Sequence, residues 1–189
     1  MPNPETLGSM QQQKKDLMAI FENLRVSNLY GVHIFIDYSN VEIGASKYCR
    51  GFDNERFLEF IESITSSLPH IKKIAVSSAS FSAEKYGYEV HKLPKYQRKE
   101  LFVDELLYAK IGDSLLDYEK GFLLVVTGDG NISNYGLGFS VQIVRAILRN
   151  WTVRLLTWRG DVASIYIDIE KKYPNFSIYY IDAALSRLI

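Results

Sequence analysis

With 189 residues, 47% hydrophobic and 23% charged, the chain has ordinary globular usage and enough length to bury a core as one domain without staples. Its 22 Lys and Arg balance 22 Asp and Glu, so no global field draws a polyanion and any such partner has to be held by a local patch. The single cysteine, Cys49, excludes an intrachain disulfide and a multi-cysteine zinc site and fits a reducing, intracellular setting, while no run approaches the roughly 18 apolar residues of a membrane span.

The opening "MPNPETLGSM" reads as a tail without the order of a signal peptide. In "QQQKKDLMAIFENLRV", Leu17, Ile20, Phe21 and Leu24 recur at helical spacing and predict an amphipathic lead-in helix. The tail and this helix occupy residues 1–28, ahead of a domain over 29–189. That helix could pack on the domain, bind a protein partner or mediate self-association. Strand and helix patterns then alternate. "VHIFID" (32–37) is an apolar strand ending in acid, and 53–68 is a helix with Asp53 as N-cap and Pro69 as its stop. "IKKIAVSSA" is a second strand, and "EKYGYEVHKLPKYQRK" reads as irregular and basic. A helix is expected over 101–118, a strand in "GFLLVVTG", a helix over 138–149 and a strand in "WTVRLLTW". A short helix near 162–171 and the strand "FSIYYI" close the chain. Such alternation predicts βαβ units, a mostly parallel sheet and helices on both of its faces. Ligands of such sheets bind beyond the carboxyl ends of the strands, near the switch in strand order.

Acids fall where that rule matters. Asp37 ends the first strand and Asp129 follows "FLLVVTG"; Asp104 sits in the first turns of the helix that carries Val103, Leu107, Ile111 and Leu115. Each has an ordinary explanation as well: Asp, Ser and Asn cap turns and helix starts, and acids favour the first helical turn. Three carboxylates meeting at one edge, however, repel unless their pKa values rise or a cation joins them. Oxygen ligands without His or Cys suit Mg²⁺ or Mn²⁺. The histidines form no metal-ligand pair, with His33 inside a strand, His70 beyond a helix and His91 in the basic segment.

With "IFIDYSNV", "FVDELL", "LLVVTGDGN" and "GFSVQIVRAILRNWTVRLLTW" in this order, residues 31–182 resemble the NYN family of PIN-like ribonucleases, in the form found in fungal proteins. The resemblance implies a PIN-like three-layer α/β/α sandwich and metal-dependent endonucleolytic cleavage of RNA. It places Asp37, Asp104 and Asp129 on the metal and gives Asn40 the task of steadying the first-strand turn or touching substrate. The family's further acid after the Gly-Asp turn corresponds here to Asn131, an amide that ligates through oxygen without adding negative charge. For that reason a PIN-like domain without catalysis, serving as an RNA-binding or protein-interaction module, stands as the alternative.

A single-stranded RNA approaching such an acidic site needs flanking cations. Lys92, Lys95, Arg98 and Lys99, interleaved with Tyr96 as a base-stacking ring, form the candidate patch, with a solvated loop as the alternative. An intracellular place, cytoplasmic or nuclear, follows. Arg145, Arg149, Arg154 and Arg159 read as surface charges. Trp151 and Trp158, an odd number apart, belong to opposite faces of their strand as core and rim packing. A small-molecule-binding doubly wound domain is disfavoured, since neither G-x-G-x-x-G nor G-x-x-x-x-G-K-S/T occurs.

Overall fold

The computed structural model describes residues 31–77, 81–96, 99–100, 102–128, 138–184 and 188. The expected lead-in helix, Arg98, Asp129 and Asn131 lie outside the described residues. Strands β1 (Val32–Asp37), β2 (His70–Ser77), β3 (Glu89–Lys92), β6 (Phe122–Val126), β7 (Thr152–Thr157) and β8 (Phe176–Tyr180) form one sheet in the order β3-β2-β1-β6-β7-β8. Every pairing in it is parallel. Two short strands, β4 (Lys95–Tyr96) and β5 (Lys99–Glu100), make a separate antiparallel hairpin.

Because β1 and β6 are buried along their whole length, they read as continuous apolar runs rather than alternating ones. Their side chains nonetheless divide between two cores. Ile34, Ile36, Leu124 and Val126 face helices α1 (Tyr38–Tyr48) and α2 (Asn54–Thr65). Phe35, Leu123 and Val125 face α3 (Val103–Asp117), α4 (Phe139–Leu148) and α5 (Ser164–Lys172). The result is a three-layer α/β/α sandwich. Its helices change face where the chain turns from building outward through β2 and β3 to building outward through β7 and β8. A right-handed crossover requires that change when the direction of strand addition reverses.

Asp53 is the N-cap of α2, accepting from the backbone N–H of Glu55 and Arg56 at 2.8 and 3.0 Å, as its position before the apolar stripe predicted. Trp151 and Trp158 do lie on opposite sides of the sheet, but both are core residues and neither is rim. Trp158 closes down on α1: its Nε1 donates to the Val41 carbonyl at 3.1 Å, and a Cβ at Gly44 would overlap its ring. At the outer edge, the Ile178 N–H of β8 donates to Glu170 Oε1 at 2.7 Å and the Phe176 N–H to the Tyr173 carbonyl at 3.2 Å.

Three further expectations need correction. The residues after Asp37 form helix α1 rather than a bare turn, because Asp37 caps it and Trp158 covers it. The basic segment is not irregular throughout: Glu89–Lys92 pair with β2, and the register Val76↔His91 and Ser77↔Lys92 carries the sheet one strand further. Arg154 is buried rather than a surface charge; its guanidinium donates to the Val153 carbonyl at 2.9 Å and lies over the Phe122 ring.

His33 is the buried counterpart on the α3 side, 1% exposed, with Nδ1 3.2 Å from Ser114 Oγ and its ring edge-on to Tyr118 and Trp151. Burial, with Lys72 nearby, pushes its pKa from 6.5 down to about 4. Between those two values the unfolded chain binds a proton that the folded one refuses, so stability falls as pH is lowered. The full shift corresponds to about 3 kcal/mol. Urea denaturation between pH 7 and pH 4 should show this loss, and His33→Gln should remove most of the slope.

Candidate functional site at the strand-order switch

Between β1 and β6 the chain's strand order reverses, and adjacent connections leave the sheet toward opposite faces, opening a crevice beyond the carboxyl ends. Asp37 stands at that point. It is the last residue of β1 and the N-cap of α1, and only 4% of it is exposed. A carboxylate so buried needs polar partners for both oxygens. Oδ1 accepts from the Asn40 N–H at 3.1 Å, and Oδ2 accepts from the Thr127 hydroxyl, just past β6, at 3.1 Å. The first of these bonds is the helix cap; the second ties β1 to its neighbour.

Asn40 completes the link. Its side-chain Oδ1 accepts from the Gly128 N–H at 2.8 Å, so the first turn of α1 holds the backbone that leads out of β6. The Asn40 side chain is thus engaged at the exit of β6 rather than within the residues after β1. Gly128 is packed on three sides: a Cβ there would come within 2.9 Å of the Asp161 carbonyl, 3.0 Å of Asn40 Oδ1 and 3.1 Å of Thr157 Oγ1. Thr127, Gly128 and Thr157 were not singled out from sequence. The readable sign was a hydroxyl residue where the apolar strand stops, one position before a glycine.

Asp104 arrives from the other face. Ser114 of α3 touches His33 near the start of β1, and the helix runs antiparallel to that strand. Ten residues back along the helix cover about 15 Å, and four residues forward along the strand from His33 to Asp37 cover about 13 Å. Asp104 therefore lies at about the level of Asp37, half-buried in the first turn of α3, which Phe102 enters with φ 67°. Asp129, next after Gly128, and Asn131, two positions further, lie outside the described residues. Among the described residues, no group of three His, Cys, Asp or Glu side chains is placed to hold a metal ion.

Of the expected cationic patch, Lys92 lies on the same edge. Lys92 ends β3 opposite Ser77, two strands from β1 and so about 10 Å to the side. It is exposed, with Glu84 at 4.0 Å, and His91 beside it is 2.7 Å from Glu89. Acids thus temper the positive charge. Lys95, Tyr96 and Lys99 belong to the hairpin that continues from β3 at this edge, with Tyr96 paired to Lys99; Arg98 lies outside the described residues.

Fold and crevice together define a doubly wound α/β/α sandwich with a buried acid, two threonines and an asparagine at its switch point. Compared with known proteins, the chain matches no family model, no curated protein and no solved structure. Among the described residues no helix is long and apolar enough to cross a membrane.

Two substitutions test the packing of the crevice. Thr127→Val strips a donor from a buried carboxylate and should cost about 1–3 kcal/mol. Gly128→Ala forces three neighbours apart and should cost a similar amount, about 1–3 kcal/mol. Denaturant unfolding reads both, and a stability equal to that of the parent would contradict the hydrogen-bonded arrangement.

Proposed function

We propose that the protein is a metal-dependent endoribonuclease acting on single-stranded RNA, a member of the NYN group of PIN-like nucleases. The observation that carries this reading is Asp37: a buried carboxylate at the strand-order switch, oriented through both oxygens, which Asp104 in the first turn of α3 would join. Asp37, Asn40 and Thr127 bring oxygen atoms to the crevice. Such a set fits Mg²⁺ or Mn²⁺. Asp37, Asp104 and Asp129 would hold the ion, with Asn131 adding an amide oxygen. When bound, the ion supplies Lewis-acid polarisation of a phosphoryl oxygen and acidifies water.

The chain's own residues supply orientation. Thr127 and the Asn40 N–H fix the Asp37 carboxylate, so little reorganisation is needed when charge arrives. Asn40 fixes the Gly128 backbone, the residue that precedes Asp129 in sequence. Lys92, Lys95, Arg98 and Lys99 would neutralise phosphates on one side of the crevice, and Tyr96 would stack on an unpaired base. An enzyme of this kind works where RNA and a reducing environment coincide, in the cytoplasm or nucleus. Asn131 favours a second reading, a PIN-like module that binds RNA or protein without cutting it, since the amide contributes no charge to a metal.

Labelled single-stranded RNA incubated with Mn²⁺ separates the two readings. Cleavage should fall about 100-fold or more in Asp37→Asn and Asp129→Asn, the loss expected when a metal worth several kcal/mol is displaced. Asn is as good a helix cap as Asp, so Asp37→Asn keeps the start of α1. Equal background cleavage by parent and variants would leave only the binding module.

A further inference from the structure

On the side of the sandwich that carries α3 and α4, a groove of about 360 Å³ lies between the last turns of these helices. It is built against the usual preferences of a solvated surface. Leu116 and Leu148 stand 77% and 66% exposed on its two walls. Gly112 lies inside α3, where glycine is among the poorest helix formers. A Cβ there would meet nothing within 4 Å, so no described neighbour requires the small residue. Gln142, 5% exposed, also lines the groove, and its Oε1 is buried with no hydrogen-bond partner. An open glycine, two bare leucines and an orphaned buried acceptor are what a groove awaiting a closely packed helix carries.

We infer that the amphipathic segment 14–26 of this same chain docks in that groove as a helix. Position favours it. The groove is at the end of the molecule where α3 leads into β6 and α4 into β7, and the chain enters the sheet at that end, with Gly31 accepting from the Phe122 N–H at 3.1 Å. Residues 27–31 can extend over roughly 17 Å, about the height above the sheet of a helix seated on the α3–α4 layer, which is roughly 10 Å from sheet to helices and most of a further 8–10 Å to the docked helix. Chemistry favours it as well. Leu17, Ile20, Phe21 and Leu24 make one apolar stripe. At about 100° per residue, Lys14 and Arg25 fall on one flank of that stripe and Asp16 on the other. Arg145 and Arg149 line the groove on the α4 side to meet Asp16, and exposed Asp113 follows Gly112 in α3 on the other side. Docked this way, the segment covers the end of the sandwich away from Asp37 and leaves the crevice open, so the inference stands apart from the proposed activity.

Amide hydrogen exchange on the full chain at two protein concentrations tests it, comparing the parent with Gly112→Gln and Phe21→Asp. Residues 14–26 should be protected in the parent to the same degree at both concentrations. Both variants should lower that protection at least tenfold. Gln is a better helix former than Gly, so α3 and β1 should keep their own protection in Gly112→Gln, which separates loss of docking from unfolding. Unprotected amides over 14–26 in the parent, or protection unchanged by Gly112→Gln, would overturn the inference. Protection that appears only at the higher concentration would overturn it too, since the occupant would then be a second copy.

Discussion

Parallel pairing of β1 with β2 on one side and β6 on the other is the constraint from which the remainder of the molecule follows. A parallel neighbour cannot be reached by a tight turn, so each connection has to cross the sheet with a helix or long loop. With right-handed crossovers, extending the sheet in two directions from β1 and β6 commits the connecting helices to opposite faces. The crevice between these strands is then unavoidable. Whatever residue ends β1 is placed at its mouth, flanked by the first turn of α1 and the exit from β6.

Asp37 fills that place in two capacities that need not compete. As an N-cap it satisfies an orphaned helix N–H, and the helix end in turn favours its negative charge. As the acceptor of the Thr127 hydroxyl it fastens β1 to the segment after β6. Asn40 repeats the connection in the opposite sense, from α1 back to Gly128. These bonds make the crevice a stitched unit, in which local helix geometry and the spacing of two central strands are set by one small group of polar atoms.

Much of this was legible in the residues because the strands are strongly patterned. The apolar runs at 32–37, 122–126, 152–157 and 176–180 are bounded by turn-forming residues, and each strand appears close to its expected limits. Helix α1 was not legible. Its sequence, YSNVEIGASKY, has little amphipathic contrast and carries two serines, an asparagine and a glycine, all of which weaken helices. It forms because Asp37 caps it and because Gly44 admits the Trp158 ring, a contact between residues more than a hundred positions apart. Strand β3 was hidden for a related reason: EVHK is short, charged and at an edge, where propensity is easily overruled by pairing. At the candidate site, Asp37 and Asn40 could be read from their place at a strand end. Thr127 and Thr157 could not, since a lone threonine at a strand terminus has no distinguishing pattern until its partner across the sheet is known. Arg154 was misread because alternation puts a charged residue on a face, and only the sandwich shows that both faces of β7 are covered.

The two bonds outside β8 carry a consequence for the protein's behaviour in a crowded solution. A terminal strand ordinarily offers its outward amides to any extended peptide that comes alongside, which is how sheets grow between molecules. Here the Phe176 and Ile178 amides are already occupied by the Tyr173 carbonyl and the Glu170 carboxylate of the preceding segment. An arriving strand would have to displace a charged acceptor before gaining its first hydrogen bond. The chain thus blocks recruitment at this rim with its own side chain, and the β8 edge is poorly suited to templating extension into a fibre.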